Sequence, residues 1–436
     1  MNTSTSATLT RRGFLGLAGV AAAVPILAAC APGAAGGGGA AGGALKFWDM
    51  QWGPAAYGDA AKKLTESYAA KNGLPAATYQ SLPWNNFYQT FSSAIASKTG
   101  PAVSSGSGFQ AFQFADQGAI AYADNLIDKL RSSGKLDDFL PGTVESMKTA
   151  KGYAAVPWQS DIRVLWYRKS LLDQAGVDVP TDWKSYLEAA KALAKIGVVG
   201  LGTGAGAGNN LGNHLMASLM INNGGGIFNA EGKPDLVTDA NIEAMEFVLE
   251  LSAAGAIDPA ALTYTSDNLQ SQWADKRIGL GWNSAGLQNT LNGDEDLFVA
   301  SPVSSYSGNK GTLAFVNNLM MYTNTPSQEG SEAFLEAYLD GIHVFWDQGL
   351  INALPVLKSI VASEAFQANT QWVKIIDEWQ PVSKPYATLS DTLFAGLAVV
   401  DGGQSITQFT QTMLAGKTDA KSALQTFQSA LEKELA

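Results

Sequence analysis

The sequence predicts an α/β protein built as at least two lobes, and three observations carry that expectation. Short apolar runs alternate with segments of helical period along most of the chain, the pattern of interleaved strands and helices rather than of either alone. The chain has 436 residues, more than one hydrophobic core comfortably serves. Apolar residues make up 46% and aromatic residues 10%, with eleven tryptophans, too many for a disordered chain.

The elements follow in order. Leu45 to Asp49 reads as a first strand. Leu64 and Tyr68 recur at helical spacing within 58–71, and Gly73 and Pro75 stop that helix. A second helix covers Phe87 to Ser97. Residues 158–166 are expected to be extended, which puts Gln159, Asp161 and Arg163 on one face and Trp158, Ser160, Ile162, Val164 and Trp166 on the other. In 181–196, capped by Thr181 or Asp182, one face carries Trp183, Leu187, Ala190 and Ala194. Helices are also expected at 239–253, 329–340 and 419–435, and no internal repeat is evident.

The first residues concern location rather than fold. Thr10-Arg11-Arg12-Gly13-Phe14-Leu15, an apolar run to Ile26, and Leu27-Ala28-Ala29-Cys30 have the order of an export signal. The paired arginines resemble a twin-arginine signal and the last four residues a lipobox, so residues 1–29 are expected to be removed and Cys30, the only cysteine, to be acylated. Residues 30–43, dominated by glycine and alanine, bury almost nothing and are expected to be a tether. The formal net charge is −11 at neutral pH, and no nucleic-acid partner is expected for so acidic a chain, since phosphate binding needs a clustered basic surface.

Chemistry-bearing motifs are sparse. Gly202, Gly204 and Ala207 fit G-x-G-x-x-A, but the next acid is Glu231, beyond the reach of a ribose contact, and no Gly-Lys-Ser/Thr triplet occurs; the stretch is expected to be a flexible loop. His214 and His343 stand far apart and outside any metal-binding frame, so both are expected to be surface or packing residues and no metal or cofactor is expected. There is no G-x-S-x-G elbow. The acid pairs Asp137-Asp138 and Asp294/Asp296 lie in polar, loop-like text where solvated charge is the default.

What recurs instead is tryptophan beside amides and charges: Trp48 to Trp52, Trp84 to Asn86, Trp158 to Arg163, and Trp282 with Asn283. An indole offers a flat apolar surface with little conformational entropy to lose, and neighbouring amides and charges supply fixed hydrogen bonds. That mixture suits a pyranose ring, although each tryptophan taken singly is more often core than platform.

Several further marks, in order, resemble the extracellular solute-binding proteins of the carbohydrate class, the maltose-binding-protein-like family. They are Gly152-Tyr153 to Pro157, then Val164-Leu165-Trp166-Tyr167-Arg168-Lys169-Ser170-Leu171-Leu172, Ala175-Gly176-Val177, Pro180-Thr181-Asp182-Trp183, Gly224 to Gly226 with Phe228-Asn229, Trp273 to Trp282, and Phe334-Leu335 near Tyr338-Leu339. The resemblance runs from about Leu45 to the C-terminus; it departs where Ala102 follows Gly100-Pro101, and where Phe109 and Gln110 replace charged sugar contacts.

The resemblance implies a type II periplasmic-binding-protein fold: two α/β lobes with mixed sheets, joined by hinge crossovers near 158–164 and 315–320, and a ligand cleft between them. It implies an N-terminal lobe of 44–158 and 320–358 and a C-terminal lobe of 159–319 and 359–436. Carried residue by residue, it makes Asp161 a cleft carboxylate, Trp282 a stacking aromatic of the second lobe, Gln110 a first-lobe contact, and Asn317 and Asn318 part of the second crossover. Trp52, Trp84, Trp158, Arg163 and Asn283 join the candidate set from composition and placement. The implied function is capture of a sugar or oligosaccharide by a lipid-anchored monomer on the outer face of the cell membrane and its delivery to an ABC permease with a cytoplasmic ATPase, without enzymatic activity. The same fold with a non-sugar solute, an exported glycosidase and a scaffold or adhesin remain open at this point.

Overall fold

The computed structural model describes residues 43–390 and 392–436. The residues expected to form an export signal, Cys30 and nearly all of the expected tether lie outside the described residues.

Strand β1 (Leu45–Met50) forms where Leu45 and Phe47 alternate with exposed Lys46, and buried residues continue to Met50. Helix α1 (Ala55–Glu66) starts directly behind Pro54 and stops before Asn72 and Gly73 turn to positive φ, so it begins three residues and ends five residues earlier than the spacing suggests. Strand β2 (Ala77–Leu82), helix α2 (Phe87–Ala96), strand β3 (Val103–Gly106) and the short helix α3 (Gln110–Asp116) follow. Strands β2, β1 and β3 lie side by side and parallel, so their C-terminal ends share one edge. The turns 51–54, 83–86 and 107–109 therefore cluster, the usual place for a ligand in an open α/β sheet.

Strand β4 (Val156–Arg168) is the long element that the alternation around Asp161 predicts. Helix α4 (Trp183–Lys195) opens on a capping box in which the Asp182 side chain accepts from the Ser185 N–H. Helix α5 (Leu211–Asn222) has no counterpart among the expected elements, because every residue from Gly212 to Asn222 is buried and no polar face marks its period. Helix α6 (Asp239–Ala253) agrees with the expected span.

Strands β5 (Leu280–Ser284), β6 (Leu297–Val299) and β7 (Thr312–Met321) come next, then helix α7 (Gln328–Gly341), strands β8 (Leu354–Pro355) and β9 (Ser383–Lys384), and helices α8 (Gly396–Gly402), α9 (Gln404–Ala415) and α10 (Ala420–Glu434). Asp419 caps α10 by accepting from Ser422 N–H.

Among the described residues these nine strands join in one mixed sheet, along the path β8-β4-β7-β3-β1-β2, with β5 and β6 on β4 and β9 on β7, and a separate two-stranded sheet pairs Lys148–Thr149 with Gly152–Tyr153. The first half of β4 pairs antiparallel with β7, which in turn pairs with β3; its second half, Arg163 to Arg168, pairs with β5 and β6. Two lobes thus share the strands that pass between them. The first is built on β1–β3 with α1, α2 and α7, the second on β5 and β6 with α4–α6, α9 and α10.

Two expectations from local composition are corrected by packing. Residues 202–206 are buried rather than a flexible loop: a Cβ on Gly206 would lie 2.3 Å from the Thr263 carbonyl oxygen, so glycine there permits close backbone approach. Asp294 and Asp296 are not solvated loop charges, for they hold the fully buried Arg168 guanidinium at 2.7 and 3.5 Å. A cation at that depth needs such partners. Asp138 likewise accepts the Ser359 N–H at 2.8 Å. No helix among the described residues is long and apolar enough to cross a membrane.

Candidate functional site

The edge formed by the turns after β1, β2 and β3 carries a run of indoles. Trp52 meets Trp84 edge to face at 4.7 Å and Trp158 at 5.6 Å, and Trp158 continues to Phe345 and Trp346 at 6.2 and 6.4 Å. Trp84 is 38% exposed and donates from Nε1 to the Gln51 carbonyl at 2.6 Å, while Trp52 is 7% exposed. Trp158 occupies a register shift between Pro157 and Gln159, and this bulge takes it out of the strict alternation expected for 158–166.

Trp52 is held from below. Its Nε1 donates to Ser105 Oγ at 2.9 Å, and Ser105 donates to Asp49 Oδ1 at 2.6 Å. Tyr57 and Tyr79 donate to Asp49 Oδ2 at 2.9 and 3.3 Å. Burial pushes the Asp49 carboxyl up to about 7, although the hydrogen bonds from Ser105, Tyr57 and Tyr79 oppose it.

Beside the indoles, Gln159, Asp161 and Arg163 do share a face of β4, with Asn317 and Phe315 opposite on β7. Arg163 donates from Nη1 to Asp161 Oδ1 at 2.5 Å, and its guanidinium lies 5.3 Å over the Phe315 ring. Asp161 keeps about a fifth of its side chain exposed, whereas Arg163 is buried. Gln110 accepts the Ser107 N–H at 2.9 Å, and Asn318 donates to the carbonyls of Ser107 and Gly108 at 3.4 and 3.2 Å.

Several buried polar atoms here have no partner among the described residues: Trp158 Nε1, both amide atoms of Gln159, Gln110 Nε2 and Asn318 Oδ1. Buried polar groups are almost always satisfied. A concentration of five such atoms beside a set of indoles is what a hydroxyl-rich ligand would answer.

Trp282 and Asn283 stand apart from this constellation. Trp282 pairs with Leu165 across the strands and lies against Tyr186 of α4 at 5.3 Å, 3% exposed, so it packs in the second lobe's core. Asn283 projects from the other face of β5 and its Oδ1 is taken by the Ser284 N–H. The aromatic rings that do approach from the second side are Phe315 and Tyr386, each 5.4 Å from Phe109.

Composition also missed the second-lobe end of the polar chain. His214, on α5, is buried and accepts at Nδ1 from Arg163 Nε at 3.0 Å. Its Nε2 faces Asp401 Oδ1 at 3.3 Å, and Asp401 also accepts from Tyr386 at 3.1 Å and Tyr88 at 3.0 Å. Burial, then the Arg163 charge, hold the His214 imidazole below its ordinary range. An arginine N–H only donates, so the neutral ring carries its proton on Nε2, toward Asp401. Burial by itself would raise Asp401, but the bonds from His214, Tyr88 and Tyr386 outweigh it and hold the carboxyl below its ordinary range. A single acid inside the apolar run Leu397-Ala398-Val399-Val400-Asp401 was the available signal, since burying an unpaired charge is costly.

Two lobes sharing a pair of crossing strands, with aromatic faces and unpaired amides gathered where they meet, define a protein that takes up a ligand between its halves. The chain belongs to the bacterial extracellular solute-binding protein family, which matches residues 51–340. It is similar, at 57% identity and a TM-score of 0.86, to a sugar transporter from Arthrobacter chlorophenolicus A6 solved with bound laminaribiose, covering 89% of this chain and 99% of that one. The GacH receptor of Streptomyces glaucescens, solved unliganded and with acarbose, shares the fold at 21% identity and a TM-score of 0.72, over 90% of this chain and 98% of that one. The putative ABC transporter periplasmic-binding protein YcjN of Escherichia coli is 24% identical over 314 residues, 68% of this chain and 71% of its own length. The family and these neighbours are substrate-binding proteins rather than enzymes.

Proposed function

We propose that the protein captures a short gluco-oligosaccharide of the laminaribiose type between its lobes and delivers it, unreacted, to an ABC permease. The observation that carries this reading is the meeting of Trp52, Trp84 and Trp158 with unpartnered atoms of Gln110, Trp158, Gln159 and Asn318, on a chain 57% identical to a laminaribiose-bound protein. The indoles suit the C–H faces of the sugar rings, and the amides and Asp161 suit their hydroxyls. Micromolar affinity requires about 8 kcal/mol, within reach of such a set in a site that excludes water. Closure follows from differential contact: a sugar touching both lobes favours the arrangement in which both are near. The twin-arginine-like leader and Cys30 support an extracytoplasmic, lipid-anchored location.

Titration with laminaribiose, followed by tryptophan emission and thermal shift, tests the reading. Binding is expected to change emission and raise the melting temperature, and Asp161→Asn is expected to weaken it roughly ten- to a hundredfold by removing a charged acceptor. If laminaribiose, maltose, cellobiose and their longer homologues all leave both signals unchanged, carbohydrate capture is ruled out.

A further inference from the structure

Asp401 serves both lobes at once. Its Oδ2 takes the hydroxyl of Tyr88, which projects from α2 of the first lobe, at 3.0 Å, and its Oδ1 takes Tyr386 and faces His214 of the second. Behind His214 come Arg163 and then Asp161, so one unbroken line of hydrogen bonds runs from the first lobe's helix, through the second lobe's interior, back to the partly exposed carboxylate on the crossing strand.

The next residue fits the same contact. Gly402, the last of α8, lies flat against the Tyr88 ring, and a Cβ there would come within 2.8 Å of Cδ2 and 3.0 Å of Cε2. Its φ is not positive, so backbone conformation does not require glycine at this position. The requirement comes from the aromatic ring of the opposite lobe. Tyr88 is half-buried, and desolvation of its hydroxyl together with the Asp401 charge raises that hydroxyl well above the ordinary range, so it stays a donor at any physiological pH.

We propose that Tyr88, Asp401 and Gly402 form a latch between the lobes that sets how long a captured ligand stays, while Asp401 also positions Asp161 through His214 and Arg163. The ligand part of this inference rests on the sugar-binding reading above. The Tyr88–Asp401 bond exists only when α2 and α8 are together, so it favours the closed arrangement without touching the sugar. The chain through Arg163 has a different effect: it fixes one oxygen of Asp161 and leaves the other free for a hydroxyl. A latch of this kind acts on escape rather than entry, because the encounter takes place before it forms.

The experiment is stopped-flow fluorescence with laminaribiose on the wild-type protein and on Tyr88→Phe, Gly402→Ala, Asp401→Asn and the Tyr88→Phe/Asp401→Asn pair, with small-angle X-ray scattering on each without sugar. Tyr88→Phe is expected to raise the dissociation rate roughly five- to tenfold with the association rate within about twofold, and Gly402→Ala to do the same by wedging the ring. The double variant should be no worse than the poorer single one, since both remove one bond. Residues with a purely structural role would instead lower the melting temperature and leave the rate ratio alone. Dissociation rates equal to wild type in both Tyr88→Phe and Gly402→Ala overturn the latch and leave sugar capture standing. Should the wild type bind no laminaribiose, sugar capture fails by itself and the latch is judged by scattering: a larger radius of gyration in both variants supports it, and an unchanged one overturns it.

Discussion

Trp158→Ala should unfold at a denaturant concentration corresponding to a loss of about 3–5 kcal/mol, and should no longer bind laminaribiose measurably. The side chain is fully buried, touching Trp52 on one side and Phe345 and Trp346 on the other, so its removal opens a cavity that three rigid rings cannot collapse to fill. Trp158→Phe separates the two roles of the residue. It keeps most of the apolar volume and discards an N–H that has no acceptor among the described residues, so stability should change by less than about 1.5 kcal/mol. Affinity should nevertheless drop, by up to about tenfold, because the lost N–H is a donor offered to the ligand. Urea unfolding and sugar titration of the two variants measure both effects. Equal affinity in Trp158→Phe and wild type would restrict the indole to a packing role.

A comparable effect should come from pH acting on Asp49. Its carboxyl, ordinarily near 3.8, stands at about 7 in the folded protein, with burial as the cause. Between those values the folded state holds a proton that the unfolded state has released, so the stability Asp49 contributes is fully present below 3.8 and is lost as pH rises through 7. His214 runs in the opposite sense: its imidazole is lowered from 6.5, so it weakens the fold as pH falls below that value. Comparing wild type with Asp49→Asn cancels the histidine. From pH 4.5 to pH 8, wild type should lose about 3 kcal/mol relative to the variant, read as diverging urea midpoints. Parallel curves would show that Asp49 titrates at an ordinary value.

Local pattern reached some parts of this architecture and missed others for identifiable reasons. Helices α4, α6 and α10 stood out because each buries one stripe and wets the other, and the start of α4 was marked as well by Asp182, one of the two caps expected there. Helix α5 escaped notice because a helix wrapped on all sides has no stripe. The trio Gln159, Asp161 and Arg163 was legible from alternation, since a strand can only turn its side chains two ways. Trp282 was assigned by its place in a family-like segment, but the register of β5 against Leu165 turns its ring onto Tyr186. His214, Tyr386, Asp401 and Tyr88 lie tens to hundreds of positions from Arg163, and no periodicity links residues so far apart.

By itself, the sequence determined the α/β class, the strand that carries the polar trio and the recurrence of indoles beside amides, because each depends on neighbours within a few positions. Tertiary structure alone decided which indoles meet, which amides are left without partners, and that an aspartate near the C-terminus stands between the two lobes. Those outcomes depend on which faces the sheet brings together, and a hydrogen bond between distant residues exists only after the chain has paid the entropy of closing the loop between them.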